Sequence, residues 1–313
     1  MRALPEGVTE AEVMAAVAEG WGIEVAGAEY APVGGGSYHW RADGSGGRWF
    51  VTVDDLDRKR WLGADRETVF DGLRAAFDAA LDLRDAGGLE FVLGPVPTPD
   101  GESLRRVGPR HTVAVFPLVD GGALPFGDRL PDGEGAELGR MLARLHAAAP
   151  LARPWPLQPP ERGGLERALG EVDREWTGGP FAEPARALVA GRAAGIRGLL
   201  ETFDELAARV AARGAEPVVT HGEPHAGNVL RTGGGLRLID WDTVGLAPPE
   251  RDLWMVDASA SAARGPDPDA MRLYELRWRL DDLSSYLAVL RRPHVRNADT
   301  EHAIRVLELI APA

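Results

Sequence analysis

The sequence predicts an α+β fold in which a small antiparallel sheet is followed by a larger, mainly helical region. Three observations carry this expectation. Between Val25 and Val53, strand-forming residues are interrupted by two glycine-rich turns, Gly34-Gly35-Gly36-Ser37 and Gly44 to Gly47, which is the pattern of short paired strands. From Arg66 onward apolar residues recur at helical spacing, as at Val69, Phe70, Leu73, Phe77, Leu81 and Leu83. Finally, His221, Glu223, His225, Asn228, Asp240 and Asp242 crowd between the apolar runs Val218-Val219 and Leu236 to Ile239, the way a scaffold presents chemistry from its loops.

Taken in order, Thr9 and Glu12 form a capping box that opens a short helix ending near Gly20. Strands follow, the last running from Trp49 to Val53, and then a helix over Arg66 to Ala86. After Pro95-Val96-Pro97 and a turn at Asp100-Gly101, the stretch from His111 to Gly122 reads as an edge strand leading into a linker. A boundary near Gly121 divides the chain into 1–120 and 121–313. Beyond it, helices are expected over Gly133 to Ala148, Leu165 to Trp176, Pro184 to Arg213 and Ala270 to Arg291, with Gly233-Gly234-Gly235 as a hairpin turn.

Composition narrows the function. With 313 residues and 44% hydrophobic content the chain can build one large or two medium cores. No signal-type segment and no apolar run of membrane-spanning length occurs, so a cytoplasmic protein without membrane association is expected. The absence of cysteine excludes disulfides, thiolate metal sites and a cysteine nucleophile. A formal charge of −13 argues against nucleic acid as partner and suits a cationic small molecule, although acidity also serves solubility. Basic residues are almost all arginine; Lys59 is the only lysine.

The spacing around residue 221 is the most informative feature. His221, Glu223 and Asn228 form H-x-E-x-x-x-x-N, and Asp240 follows a short hairpin within Ile239-Asp240-Trp241-Asp242; Gly245 and Asp252-Leu253 come next. With Gly222, these residues resemble the aminoglycoside phosphotransferase family of the protein-kinase-like superfamily. The resemblance implies a two-lobe fold, 1–120 binding nucleotide beneath a small antiparallel β lobe and 121–313 forming a helical catalytic and acceptor lobe. It further implies ATP and Mg²⁺ as cofactors, with Asn228 and Asp240 on the metal, Glu223 orienting the acceptor hydroxyl, and Asp252 bracing the loop. Gly34, Gly35, Gly36 and Ser37 would cover the phosphates, while the Pro117 carbonyl and the Val119 N–H would hold adenine. Asp242, Trp278, Asp281 and Asp282 are the candidates for an amine-bearing acceptor.

Two departures stand out. Glu223 replaces the usual aspartate, and Thr52 occupies the third-strand position where the family has a lysine gripping the α- and β-phosphates. Ala76, Phe77 and Asp78 stand near where that lysine's glutamate partner would fall, so both members of the pair are lost together. Arg58, Lys59, Arg60 or Arg74 could supply the missing charge, and the sequence does not choose among them. The implied activity is phosphorylation of a hydroxyl on an aminoglycoside-like antibiotic, as in resistance, or on a related metabolite. The alternative is a catalytically weak or inactive kinase-like binding protein. A zinc site in H-x-E-x-H is disfavoured, because Gly222 and Pro224 break the strand that would align its three ligands.

Overall fold

A computed structural model of the chain describes residues 1–149, 152–159, 161–256 and 265–312. In chain order the elements are α1 (Glu10–Trp21), β1 (Val25–Tyr30), β2 (Tyr38–Gly44), β3 (Gly47–Asp55), α2 (Arg66–Asp85), β4 (Arg105–Val107), β5 (His111–Pro117), β6 (Gly121–Gly122), α3 (Asp132–His146), α4 (Arg162–Gly170) and α5 (Ala182–Arg213). They continue through β7 (Val218–Thr220), β8 (Val229–Thr232), β9 (Gly235–Leu238), β10 (Gly245–Ala247), α6 (Glu250–Leu253), α7 (Pro268–Arg291) and α8 (Ala298–Ile310). They form two compact units, Met1–Trp155 with Glu216–Pro266, and Pro156–Ala215 with Asp267–Ala313.

In the first unit, the predicted capping box is present: Glu12 N–H donates to Thr9 Oγ1, and Thr9 N–H donates to Glu12 Oε2 at 2.8 Å. Helix α1 ends at Gly22, whose φ of +67° terminates the helix in the left-handed conformation glycine adopts most readily. The antiparallel sheet has the order β1-β2-β3-β5-β4, and the β2–β3 hairpin closes on Gly44 opposite Gly47. One expectation is corrected here. β5 is an interior strand, because β4 pairs beyond it through Arg105 and Val113. Its unbroken burial from His111 to Val115 is what an interior strand requires.

Behind the sheet, Val13, Val17, Trp40, Val51 and Val115 form one core, while α2 and α3 share another with Val219, Leu238 and Trp241. The glycine turn at 233–235 joins β8 to β9 as expected. In the second unit, α4, α5, α7 and α8 pack around Leu165, Phe203, Leu280 and Leu307. α4 stops at Gly170, short of the expected Trp176, whose indole N–H instead donates to the Glu171 carbonyl. Among the described residues no helix is long and apolar enough to cross a membrane.

Candidate active site

The segment from His221 to Asp252 lies wholly in the first unit and is organised by a buried acid. β7 and β10 pair so that Thr220 stands opposite Gly245, and the loop leaving β7 is fastened from below. Asp252, fully buried, accepts from His221 N–H at 3.1 Å and Gly222 N–H at 2.6 Å, with His146 Nε2 at 2.9 Å. The bracing role expected of Asp252 matches this geometry. Gly222 has φ of +98°, and a Cβ there would lie 2.1 Å from the Arg251 guanidinium, so only glycine fits. Arg251 is itself fixed by Thr220 Oγ1, the Thr243 carbonyl and the face of Trp155.

His221 is spent on packing. Its Nδ1 accepts from the Glu223 N–H at 3.2 Å, so Nε2 carries the proton and donates to the Ile239 carbonyl at 2.9 Å. Burial pushes its pKa down to about 4. With both ring nitrogens engaged, no lone pair remains for zinc. Asn228 donates from Nδ2 to the Glu223 carbonyl at 2.9 Å, and its own carbonyl accepts from Ile239 N–H at 3.0 Å. These bonds bring the 223, 228 and 240 positions together across one loop and one hairpin. Asp240 follows with φ of +69°, the only non-glycine residue with positive φ among the described residues. Backbone in that sparsely populated region persists only where the surrounding structure holds it.

Of the basic residues that follow Thr52, Lys59 is the one placed among the Asp54, Asp240 and Asp242 carboxylates. Thr52 Oγ1 lies 3.2 Å from His39 Nδ1, occupied within the sheet. Arg74 is exposed and paired with Asp71, Arg58 lies against Asp55, and Arg60 donates to the Ala64 carbonyl. Lys59, by contrast, is 2% exposed; its ammonium donates to Asp242 and lies 3.0 Å from Asp54 Oδ1. Burial opposes its charge, but the Asp242, Asp54 and Asp240 carboxylates outweigh burial and raise its pKa. Ser37, from the glycine turn, donates to the same Asp54 oxygen at 2.5 Å. The signal was present in the sequence: a chain that otherwise uses arginine keeps one lysine, beside Asp54.

The family model described as the phosphotransferase enzyme family matches residues 29–288, most of the chain. The chain belongs to this family. Protein StrN of Streptomyces griseus is 32% identical to this phosphotransferase over 295 residues, 89% of this chain and 84% of that one. Spectinomycin phosphotransferase, solved with ADP and spectinomycin, has the same fold, with a TM-score of 0.73 at 16% identity over 98% of this chain and 96% of that one. Choline kinase LicA from Streptococcus pneumoniae does so with a TM-score of 0.58 at 11% identity, covering 97% and 99% of the two chains. The kinase-like α+β expectation therefore holds, and the protein is a phosphotransferase.

The phosphotransferase's donor set fits a hard divalent cation. Asn228, with its amide nitrogen committed, offers Oδ1, and Asp240 offers a carboxylate that keeps an exposed face. Three carboxylates, Asp54, Asp240 and Asp242, stand against one ammonium, and Asp54 Oδ2 is buried without a protein partner among the described residues. Among the described residues no group of three or more His, Cys, Asp or Glu could by itself hold a metal ion. Asp242 is 6% exposed, with its carboxylate on Lys59. Pro117 closes β5 opposite Trp49, with Val119 two residues beyond. Trp278, Asp281 and Asp282 lie on α7 in the second unit, where Asp281 accepts from Arg277 at 2.7 Å.

Proposed function

We propose that this protein transfers the terminal phosphoryl group of ATP to a hydroxyl of a small, amine-bearing molecule, an aminoglycoside-like antibiotic or a related metabolite, in the cytoplasm. The observation that supports the reading is the bonded run Glu223–Asn228–Ile239, in which the Asn228 amide holds the Glu223 backbone carbonyl and the Asn228 backbone carbonyl holds the Ile239 N–H, tying the loop of Glu223 to the residue before Asp240. Asn228 and Asp240 are the residues to hold Mg²⁺, which when bound neutralises charge on the phosphates. Glu223 orients the acceptor hydroxyl and takes its proton as oxygen bonds to the terminal phosphorus and the bond to the bridging oxygen breaks, releasing ADP. Residues 1–120 serve the nucleotide, through Gly34 to Ser37, Pro117 and Val119; residues 121–313 serve catalysis and acceptor.

An assay of ADP formation across aminocyclitols, aminoglycosides and amino alcohols tests the reading, with turnover on at least one amine-bearing acceptor expected. Glu223→Gln is expected to cut turnover about a hundredfold with nucleotide affinity unchanged, while Glu223→Asp keeps more activity than Gln. Equal turnover in Gln and parent removes Glu223 from the mechanism. The alternative is a catalytically weak or inactive kinase-like binding protein, and nucleotide binding without turnover on any acceptor in that panel would favour it.

For the acceptor's amine, α7 offers Trp278, Asp281 and Asp282. Burial, then the charge of Asp281, push Asp282 up to about 7, with Trp278 opposing through a hydrogen bond. An ammonium is attracted once Asp282 ionises, so KM for a cationic acceptor is expected to fall as pH rises through about 7 and to lose that dependence in Asp282→Asn. The stability sign follows from a raised carboxylate: its contribution is full below about pH 4 and lost as pH rises through 7. Thermal unfolding should therefore show the variant gaining on the parent over that range, and a flat difference rejects the assignment.

A further inference from the structure

We infer that Lys59 is the residue that grips the nucleotide phosphates in this chain, and that Asp242, on the segment carrying Asp240, is the acid that aims it. The inference rests on the nucleotide-dependent reading above and adds the anchor, its countercharge and a coupling between anchor and metal segment.

A phosphate anchor needs a fixed cation beneath a backbone cradle that no side chain blocks. A Cβ built on Gly36 would stand 3.9 Å from the Lys59 ammonium, so the glycine turn passes directly over that charge. Ser37 ties the end of the same turn to Asp54, which also binds Lys59, so turn and cation share one support. An ammonium has three donors. Asp54 and Asp242 are the two carboxylates within reach of them and the Trp61 ring faces the ammonium at 5.3 Å, so the two carboxylates do not use up its three donors, and a phosphate oxygen would take the third.

The partner is what differs from a helix-borne acid. α2 sends Ala76 and Phe77 into the core, so the countercharge comes from β3 through Asp54 and from the segment after Asp240 through Asp242. A compact ammonium on a flexible stem can sit between two carboxylates, which a planar guanidinium cannot do with the same geometry. That accounts for a lysine here in a chain that uses arginine elsewhere. Because Asp242 is two residues from Asp240, any shift of Lys59 toward a phosphate is felt on the metal segment.

Calorimetric binding of Mg·ATP and of adenosine to the full chain tests this, using Lys59→Met, Lys59→Arg, Asp242→Asn and the double variant Lys59→Met with Asp242→Asn. Lys59→Met is expected to weaken Mg·ATP about ten- to a hundredfold and leave adenosine within about twofold, since adenosine carries no phosphate. Asp242→Asn should weaken Mg·ATP in the parent and add little once Lys59 is gone. If Lys59→Met fails to fold, Lys59→Arg decides, with a loss of about tenfold for Mg·ATP alone expected and parent-like affinity overturning the assignment. Equal losses for Mg·ATP and adenosine, or fully additive effects of the two substitutions, also overturn it. A parent that binds adenosine no more weakly than Mg·ATP overturns this inference alone; a parent that binds neither overturns the functional reading and this inference together.

Discussion

Asp240→Asn is expected to slow phosphoryl transfer about a thousandfold while leaving the fold intact. The substitution is chosen for its backbone. Asp240 sits at φ +69° and ψ +62°, a conformation asparagine tolerates and alanine does not. What is lost is charge, and the surroundings show why that charge matters. Desolvation by the surrounding protein, then the neighbouring Asp242 carboxylate, push its pKa up to about 7, with Lys59 only partly opposing them, while one face of the carboxylate stays exposed. A carboxylate held against that repulsion is stabilised when a further cation arrives. Two measurements follow: ADP formation with the preferred acceptor, and thermal unfolding with and without Mg·ADP. The variant should unfold no earlier than the parent, because one of three crowded charges is gone, and should lose the metal-dependent part of the shift. Turnover above a tenth of the parent's would take Asp240 out of the metal site.

How much of this was legible from sequence depends on whether a feature is local. The capping box at Thr9, the hairpin at Gly233 to Gly235 and the run from His221 to Asp252 are set by neighbours a few residues apart, and the structure has them where they were expected. β4 was missed because three residues, Arg105–Val107, carry too little periodicity to announce a strand, and without it β5 read as an edge. Lys59 was seen but not chosen. Its partner Asp242 lies 183 residues away, and no spacing rule reaches that far. The same long-range pairing hides the burial of the Asp242 carboxylate, which its acidic, polar sequence context does not suggest. Helix α7 posed another problem, since its buried positions include Arg277 and Ser284 besides leucines, and sequence alone could not tell which acids face solvent.

The largest effect on stability is expected at Asp252→Ala, about 3 to 5 kcal/mol. Asp252 has no exposed surface and serves two backbone N–H groups and one imidazole. Truncation leaves the His221 and Gly222 amides buried without their Asp252 acceptor. Asp252→Asn should fall between, since an amide can accept from one of the two N–H groups but turns its NH₂ toward another donor. Burial works against the charge of Asp252, yet the His146 hydrogen bond, followed by the positive charges of His146 and Arg251, holds it below the usual carboxylate range. A depressed carboxylate stabilises the fold above about pH 4 and loses that contribution as pH falls through its folded value. Urea unfolding at pH 7 should therefore separate parent and Asp252→Ala by the full amount, and the gap should close progressively below pH 4. The catalytic consequence follows from the same bonds: Gly222 at φ +98° immediately precedes Glu223, so a loop released at Asp252 loses the position of the carboxylate proposed to orient the acceptor. A variant that keeps both parental stability and parental turnover would show that the loop is held by Arg251 and the β7–β10 pairing alone.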